Sequence, residues 1–285
     1  MPISRQQAKR LFDRTEHDLR TLSSERQADS IHKFRTTTRR LQTLLEQLVP
    51  ERNRNQKKLL KMLDHIRRLA GKVRDLDVEL AALRSLKVSQ EPRRKTQLLE
   101  GLIELRSEHE KKLRKMLTKE MVRQIRKRLS RASKEVRVES GRDPMDVAQK
   151  ILQQVEPAAA APLTEELLHR YRIAVKRARY AAEFAPKSGE NLQFIARLQR
   201  LQDVLGHWHD WMILTRRAAR RFGDAHQSSL VAALDGVTRG KFRHAAADLV
   251  ASAGIRSRKR SPAASRPGKR VTKSVTSADQ TDSAA

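Results

Sequence analysis

Histidine followed at fixed intervals by arginines is an array of hydrogen-bond donors. His32, Arg35, Arg39 and Arg40 set out such a series inside IHKFRTTTRR: His, two residues, Arg, three residues, two basic residues. The series returns as His169, Arg172, Lys176 and Arg177 inside LHRYRIAVKR. Guanidinium and ammonium groups form charge-assisted hydrogen bonds, and an arginine can grip two oxyanion oxygens at once, so the chemistry on offer is anion binding. Imidazole beside a polyanion is more readily protonated and joins the donors near neutral pH. Affinity for an anion is then expected to rise as pH falls from about 8 to 6 through His32 and His169.

These residues must be held by helices. At about 100° per residue, His32, Arg35 and Arg39 lie within roughly 60° of one another, while Ile31, Phe34, Leu41, Leu45 and Leu48 occupy the opposite side. His169, Arg172, Lys176 and Arg179 repeat the stripe, backed by Leu168, Tyr171, Val175, Ala178 and Ala182, with Arg40 and Arg177 on the flanks. A merely solvated face mixes Glu with Lys at i, i+4. The run from Ile31 to Leu45 contains no acid, so an external counter-charge is expected. The next helix carries Lys58, Lys61, His65, Arg68 and Lys72 along one edge. Its counterpart is sparser: Arg197, Arg200 and His207 share an edge that Asp203 and Val204 interrupt.

The whole composition points the same way. With 62 Lys+Arg against 33 Asp+Glu, the 285-residue chain has a formal charge of +29, which calls for a polyanionic partner: nucleic acid, an anionic membrane surface or a phosphate polymer. Aromatics make up only 4%, a poor supply of stacking platforms for single-stranded nucleic acid. Cysteine is absent, which excludes disulfides, thiolate metal sites and a cysteine nucleophile. No apolar run suits a signal peptide or a membrane span, and the cytoplasm is the expected location.

Strong helix formers dominate, and Gly and Pro are scarce, so an all-α chain is expected. Punctuation predicts helices near 4–22, 28–49, 52–88 and 93–138, then near 143–155, 163–185, 190–222 and 225–251. The segment Ser140 to Pro144 marks a boundary, and Glu156 to Pro162 reads as a short linker. From about Ile255 the chain turns to Ser, Ala, Pro, Lys and Arg, the composition of a disordered tail. The two halves read as copies. Aligning His32 with His169 pairs Arg35 with Arg172, and a shift two residues different pairs GKVRDLD at 71–77 with GHWHDWM at 206–212. Two matches in the same order favour internal duplication.

On IHKFRTTTRRLQTLLEQL, LHRYRIAVKRARYAAEF, VRDLDVELAAL and LQDVLGHWHDW the chain resembles the CHAD family, the conserved-histidine α-helical domains, over about residues 4–250. The resemblance implies two pseudo-symmetric antiparallel helical bundles facing a basic central cleft or pore, and binding of inorganic polyphosphate. It carries over to His32, Arg35, Arg39 and Arg40 in residues 1–140, the first repeat, and to His169, Arg172, Lys176 and Arg177 in residues 141–254, the second. Residues 255–285 form the expected basic tail. The edges on the second helices of each half extend the site by periodicity alone. His209 stands where the first half has Arg74, so the halves are not expected to contribute equally.

Polyphosphate offers oxyanions on a flexible strand and no bases, which suits rows of Arg and Lys without aromatics. The expected activity is non-catalytic binding, in the cytoplasm or at polyphosphate granules, with polyphosphate-metabolising enzymes as candidate partners. The alternative is a nonspecific nucleic-acid or nucleoid-binding protein, favoured by the total charge and by KRSPAASRPGKRVTK in the tail.

Other patterns carry less. EHEKK at 108–112 matches the E-x-E-x-K of triphosphate tunnel enzymes, but it lies in a helical pattern where Glu108 and Lys112 are an i, i+4 pair. His207 and His209 project about 160° apart on a helix and cannot share a metal ion. Asp75 and Asp210 read as carboxylates that orient arginines or hold helix packing, and Trp208 and Trp211 as core anchors. No phosphate-binding glycine loop or serine elbow is present. Catalytic residues, metal and cofactor are therefore not expected.

Overall fold

A computed structural model describes residues 3–49, 51–88, 90–138, 141–155 and 163–259, with side chains through 252. The described residues are all-α: α1 (Arg5–Ser24), α2 (Ala28–Thr43), α3 (Arg54–Ser85), α4 (Pro92–Met116), α5 (Lys119–Glu135), α6 (Pro144–Gln153), α7 (Glu165–Ala182), α8 (Gly189–Phe222) and α9 (Ser229–Lys259). A π-helical turn, Leu44–Leu48, extends α2 and closes with Val49 N–H donating to Leu44 O at 3.0 Å.

Local chemistry starts the helices where the sequence supplies caps. The side chains of Ser4, Thr118, Thr164 and Ser188 each accept a hydrogen bond from an N–H of the first turn. Asn53 and Gln56 form a reciprocal capping box at the start of α3. Such caps each contribute about 1 kcal/mol. Pro92 opens α4, where its missing N–H costs nothing, and Glu91 before it takes a left-handed backbone (φ 53°). The Glu91 carboxylate then accepts from Ser228 Oγ and Leu230 N, tying the start of α4 to that of α9.

Seven of the eight expected helices are found singly. The stretch expected as one helix over 93–138 is two, α4 and α5, parted at Leu117 and Thr118. Apolar residues continue across the break at Leu113, Leu117, Met121, Ile125 and Leu129, so the pattern conceals it. Thr118 makes it, its Oγ1 accepting from Met121 N at 3.1 Å.

One compact unit spans Met1–Leu249. Within it α1, α2 and α3 pack in succession, α5 covers α1 and α3, and α4 returns along α3. Helices α6, α7 and α8 pack in succession as a second group, joined to the first through α2 on α7 and α3 on α8. One buried cluster draws on both groups, from Phe12, Phe34 and Leu63 to Leu168, Val175 and Trp208. A smaller one joins Leu76, Leu80 and Leu83 of α3 to Leu214 of α8 and Leu230 and Leu234 of α9. The second unit is Val250–Ala285, described only where α9 continues to Lys259. The helix thus enters the expected tail at 255–259, and the rest of that tail lies outside the described residues, as does the expected linker 156–162.

Candidate functional site: a basic cavity between four helices

Apolar faces decide where the basic stripes go. Ile31, Phe34 and Leu41 bury one side of α2, and Leu168, Tyr171, Val175 and Ala178 one side of α7, so the donor faces turn away from the core. They turn toward each other. A water-accessible cavity of about 770 Å³ is lined by His32, Arg35 and Arg39 of α2 and by His169, Arg172, Lys176 and Arg177 of α7. Arg74, Asp75, Val78 and Glu79 of α3 and Gln202, Gly206, His209, Asp210 and Ile213 of α8 complete two walls.

The positive groups are close enough to raise one another's cost of charge. Burial, followed by the nearby cations Arg67 and Arg74, holds Arg35 below the usual guanidinium value, though Asp75 opposes the change. Arg39 is lowered by burial and then by Arg67, with Arg35 and Arg172 adding to the effect. Burial also lowers Arg172, against the pull of Asp210 and Asp75. Lys176 is pushed down to about 8, first by burial and then by Arg172, with smaller contributions from Arg39 and Arg35 across the cavity. Burial, with Arg74 and Arg35 behind it, holds His32 below the ordinary imidazole value, and burial followed by His209 and Arg172 does the same to His169. Desolvated like charges are a standing cost that an oxyanion would relieve.

Six arginines and lysines share the lining with four carboxylates, Glu46, Asp75, Glu79 and Asp210, and Glu46 already pairs with Arg52 at 3.2 Å. Asp75 lies 3.6 Å from Arg35. Glu79 is already committed, accepting from Arg217 Nε at 2.6 Å and Nη2 at 3.1 Å, a fork that fastens α3 to α8. The Nε of Arg172 and the Nδ1 of His209 are shielded yet have no hydrogen-bond partner among the described residues. His169 and His209 stack with ring centroids 5.2 Å apart, and the buried Trp208 meets His209 edge-on at 6.3 Å.

Glycine settles how one arginine lies. A β-carbon on Gly71 would fall 2.4 Å from Arg35 Nη1, so the guanidinium rests directly on the backbone of α3. At Gly206, its aligned partner, a β-carbon would meet nothing within 4 Å.

Several residues expected at the site lie elsewhere. Arg40 does not line the cavity; its Nε donates to Glu183 Oε2 at 2.6 Å. Arg179 also leaves the stripe, donating to Glu183 Oε1 at 2.5 Å and to Gln202 Oε1 at 2.9 Å. Together they tie α2, the end of α7 and α8. Lys58, Lys61, His65, Arg68 and Lys72 form an exposed edge of α3 outside the lining, and Arg200 and His207 are exposed on α8. Arg197 is half-buried, with its guanidinium 5.2 Å from the ring centroid of Phe194. The lining adds residues that the basic stripes did not signal, among them Gln42, Glu46 and Gln47 around the π-helical turn. In the sequence, only the alignment with His209 singles out Arg74.

Among the described residues no group of three or more His, Asp or Glu is placed to hold a metal ion, and no helix is long and apolar enough to cross a membrane. The Glu108–Lys112 segment lies within α4, and His207 is exposed while His209 faces the cavity.

The family profile of the CHAD domain matches residues 6–219, and the chain belongs to that family, some of whose members bind polyphosphate. The fold is similar to that of PptA from Streptomyces chartreusis, with a TM-score of 0.65 and 16% identity over 87% of this chain and 98% of that one. It is also similar to the CHAD domain from the plant Ricinus communis, with a TM-score of 0.56 and 18% identity over 85% of this chain and 88% of that one. No curated protein matches the chain.

Proposed function

We propose that this protein is a non-catalytic binder of inorganic polyphosphate, holding a stretch of the polymer in the cavity between α2, α3, α7 and α8. The observation that carries this reading is the convergence of Arg35, Arg39, Arg74, Arg172, Lys176 and Arg177 on one cavity, several of them with their charged state disfavoured by burial. A polymer with a charge on every unit relieves that cost; a single small anion relieves only part. Base stacking is poorly served, because no Trp or Phe is in the lining and Tyr180 carries Arg179 over its ring at 4.8 Å.

Residues 1–140 and 141–254 act as two related halves in this reading. What supports it is that the lining takes aligned positions from each: His32 with His169, Arg35 with Arg172, Arg74 with His209, Asp75 with Asp210. The exposed α3 edge is an outer track. Lys72 lies one turn before Asp75, so polymer leaving the cavity there meets Lys72 and then Arg68, His65, Lys61 and Lys58. Arg200 and His207, with Arg197 nearby, give a weaker counterpart on α8, while Arg40 and Arg179 hold the walls in place. Such a protein belongs in the cytoplasm, at polyphosphate granules, where it organises the polymer or brings polymer-metabolising enzymes to it.

Competition at about 150 mM salt, where surface charges act over only some 8 Å, tests the reading. Long-chain polyphosphate is expected to displace double-stranded DNA and single-stranded RNA from the full-length chain. Reversing Arg35 and Arg39 to Glu should abolish that preference without loss of helix content. Equal competition per phosphate would overturn it in favour of a general nucleic-acid binder, and undiminished binding by the reversed variant would move the site out of the cavity.

A further inference from the structure

A second basic concavity lies on the far side of α3. Between Glu120 and Glu135 the sequence has no acid but six cations: Arg123, Arg126, Lys127, Arg128, Arg131 and Lys134. Two of these are neutralised, Arg123 by Glu120 and Arg126 by Glu16 of α1. The others line a groove of about 610 Å³ between α5 and the first turn of α3. Arg128 is half-buried and fixed by a reciprocal pair with Asn55, Nη1 donating to Oδ1 and Asn55 Nδ2 donating to the Arg128 carbonyl, both at 3.2 Å. Its Nε is shielded and has no hydrogen-bond partner among the described residues.

Lys127 and Lys134 make no ion pair among the described residues, and Arg131 reaches Glu135 only at 3.7 Å. Glu135, the one acid in the groove, also accepts from Asn53 Nδ2 at 2.8 Å. Spacings of four and three put Lys127, Arg131 and Lys134 on one face of α5.

The groove and the cavity are separate. On α3 the mean direction of Arg74, Asp75, Val78 and Glu79 lies about 170° round the helix from Asn55. At 1.5 Å per residue the two sets stand roughly 30 Å apart along its axis. No residue lines both.

We propose that the α3–α5 groove is a second binding site for phosphate oxyanions of the same polymer, which makes one chain bivalent and able to bridge two polyphosphate strands. The bridging role rests on the cavity reading; the groove as an anion site does not. A polymer segment bound at each face lets the protein cross-link strands and gather them into a condensed phase.

Calorimetry with tripolyphosphate, too short to span the two sites, distinguishes the claims. The wild-type chain should take up two equivalents, the exposed-surface variant K127Q/R131Q/K134Q one, and the cavity variant R35Q/R172Q one. With long-chain polyphosphate, wild type should scatter light and the groove variant should scatter about tenfold less. Two equivalents on the groove variant, or a single wild-type equivalent lost only in the cavity variant, would overturn the second site and leave the cavity standing. Two equivalents on the cavity variant would overturn the cavity reading and leave the groove. If the groove variant loses binding to duplex DNA or anionic lipid vesicles while keeping both tripolyphosphate equivalents, the groove belongs to another ligand and the proposal falls.

Discussion

The cavity's two walls take residues at aligned sequence positions and differ in chemistry. On the α2–α3 side the cations are guanidiniums, Arg35, Arg39 and Arg74, with His32 at the edge. On the α7–α8 side Arg172 and Arg177 are joined by Lys176, which aligns in sequence with Arg39, and by His209, which aligns with Arg74 and on which His169 stacks. Arginine stays charged at any physiological pH, whereas Lys176 near 8 and the lowered His169 do not. Both walls therefore carry fixed guanidiniums and imidazole, but the second adds Lys176, so more of its charge depends on pH and on what is bound.

The largest test of this contrast removes fixed charge from both walls. Hydrogen bonds to charged groups contribute about 1.5–3 kcal/mol each, so R35Q/R172Q should weaken polyphosphate binding about 100-fold or more by calorimetry. Arg40→Gln should leave affinity near wild type, because its guanidinium lies outside the lining and Arg179 still holds the Glu183 carboxylate that Arg40 releases.

A smaller effect separates the titratable cations from the fixed ones. In the free protein Lys176 titrates near 8, and a bound polyanion raises that value by favouring the ammonium. Binding then takes up a proton, and the Lys176 contribution to affinity is full below about 8 and declines as pH rises above it. Lys176→Arg should flatten the profile between pH 8 and 10. His32 and His169, below their ordinary value when free, are raised in the same way, so affinity should also climb several-fold as pH falls from about 8 to 6. A profile that stays flat over that lower range would remove both imidazoles from the site.

The smallest effect concerns the aligned glycines. Gly71→Ala must push the Arg35 guanidinium off α3 and should change affinity a few-fold. Gly206→Ala meets open space, so affinity should hold while thermal unfolding shows a gain of up to about 1 kcal/mol from better helix propensity.

The sequence makes the donor faces of α2 and α7 legible because each has an apolar face opposite it, and the core can claim only one. Periodicity is less informative on α3. That helix is covered on several sides, and its polar residues fall on two faces, the outer edge of Lys58 to Lys72 and the cavity face of Arg74 and Asp75. The more regular row is the exposed one. A repeated spacing also does not say which cation is spent on structure: Arg40 and Arg177 hold aligned places, yet Arg40 clamps Glu183 while Arg177 lines the cavity. The break between α4 and α5 escapes the same reasoning, since Leu117 keeps the i+4 series intact while Thr118 ends the hydrogen-bonded ladder.

The edge-on contact of Trp208 with His209 gives this site an optical handle of its own. Indole emission responds to what touches the ring, and only two tryptophans, Trp208 and Trp211, contribute to it. Any anion that displaces the stacked His169–His209 pair against Trp208 should therefore change the protein's intrinsic fluorescence, so that filling of the cavity can be followed on the unlabelled chain.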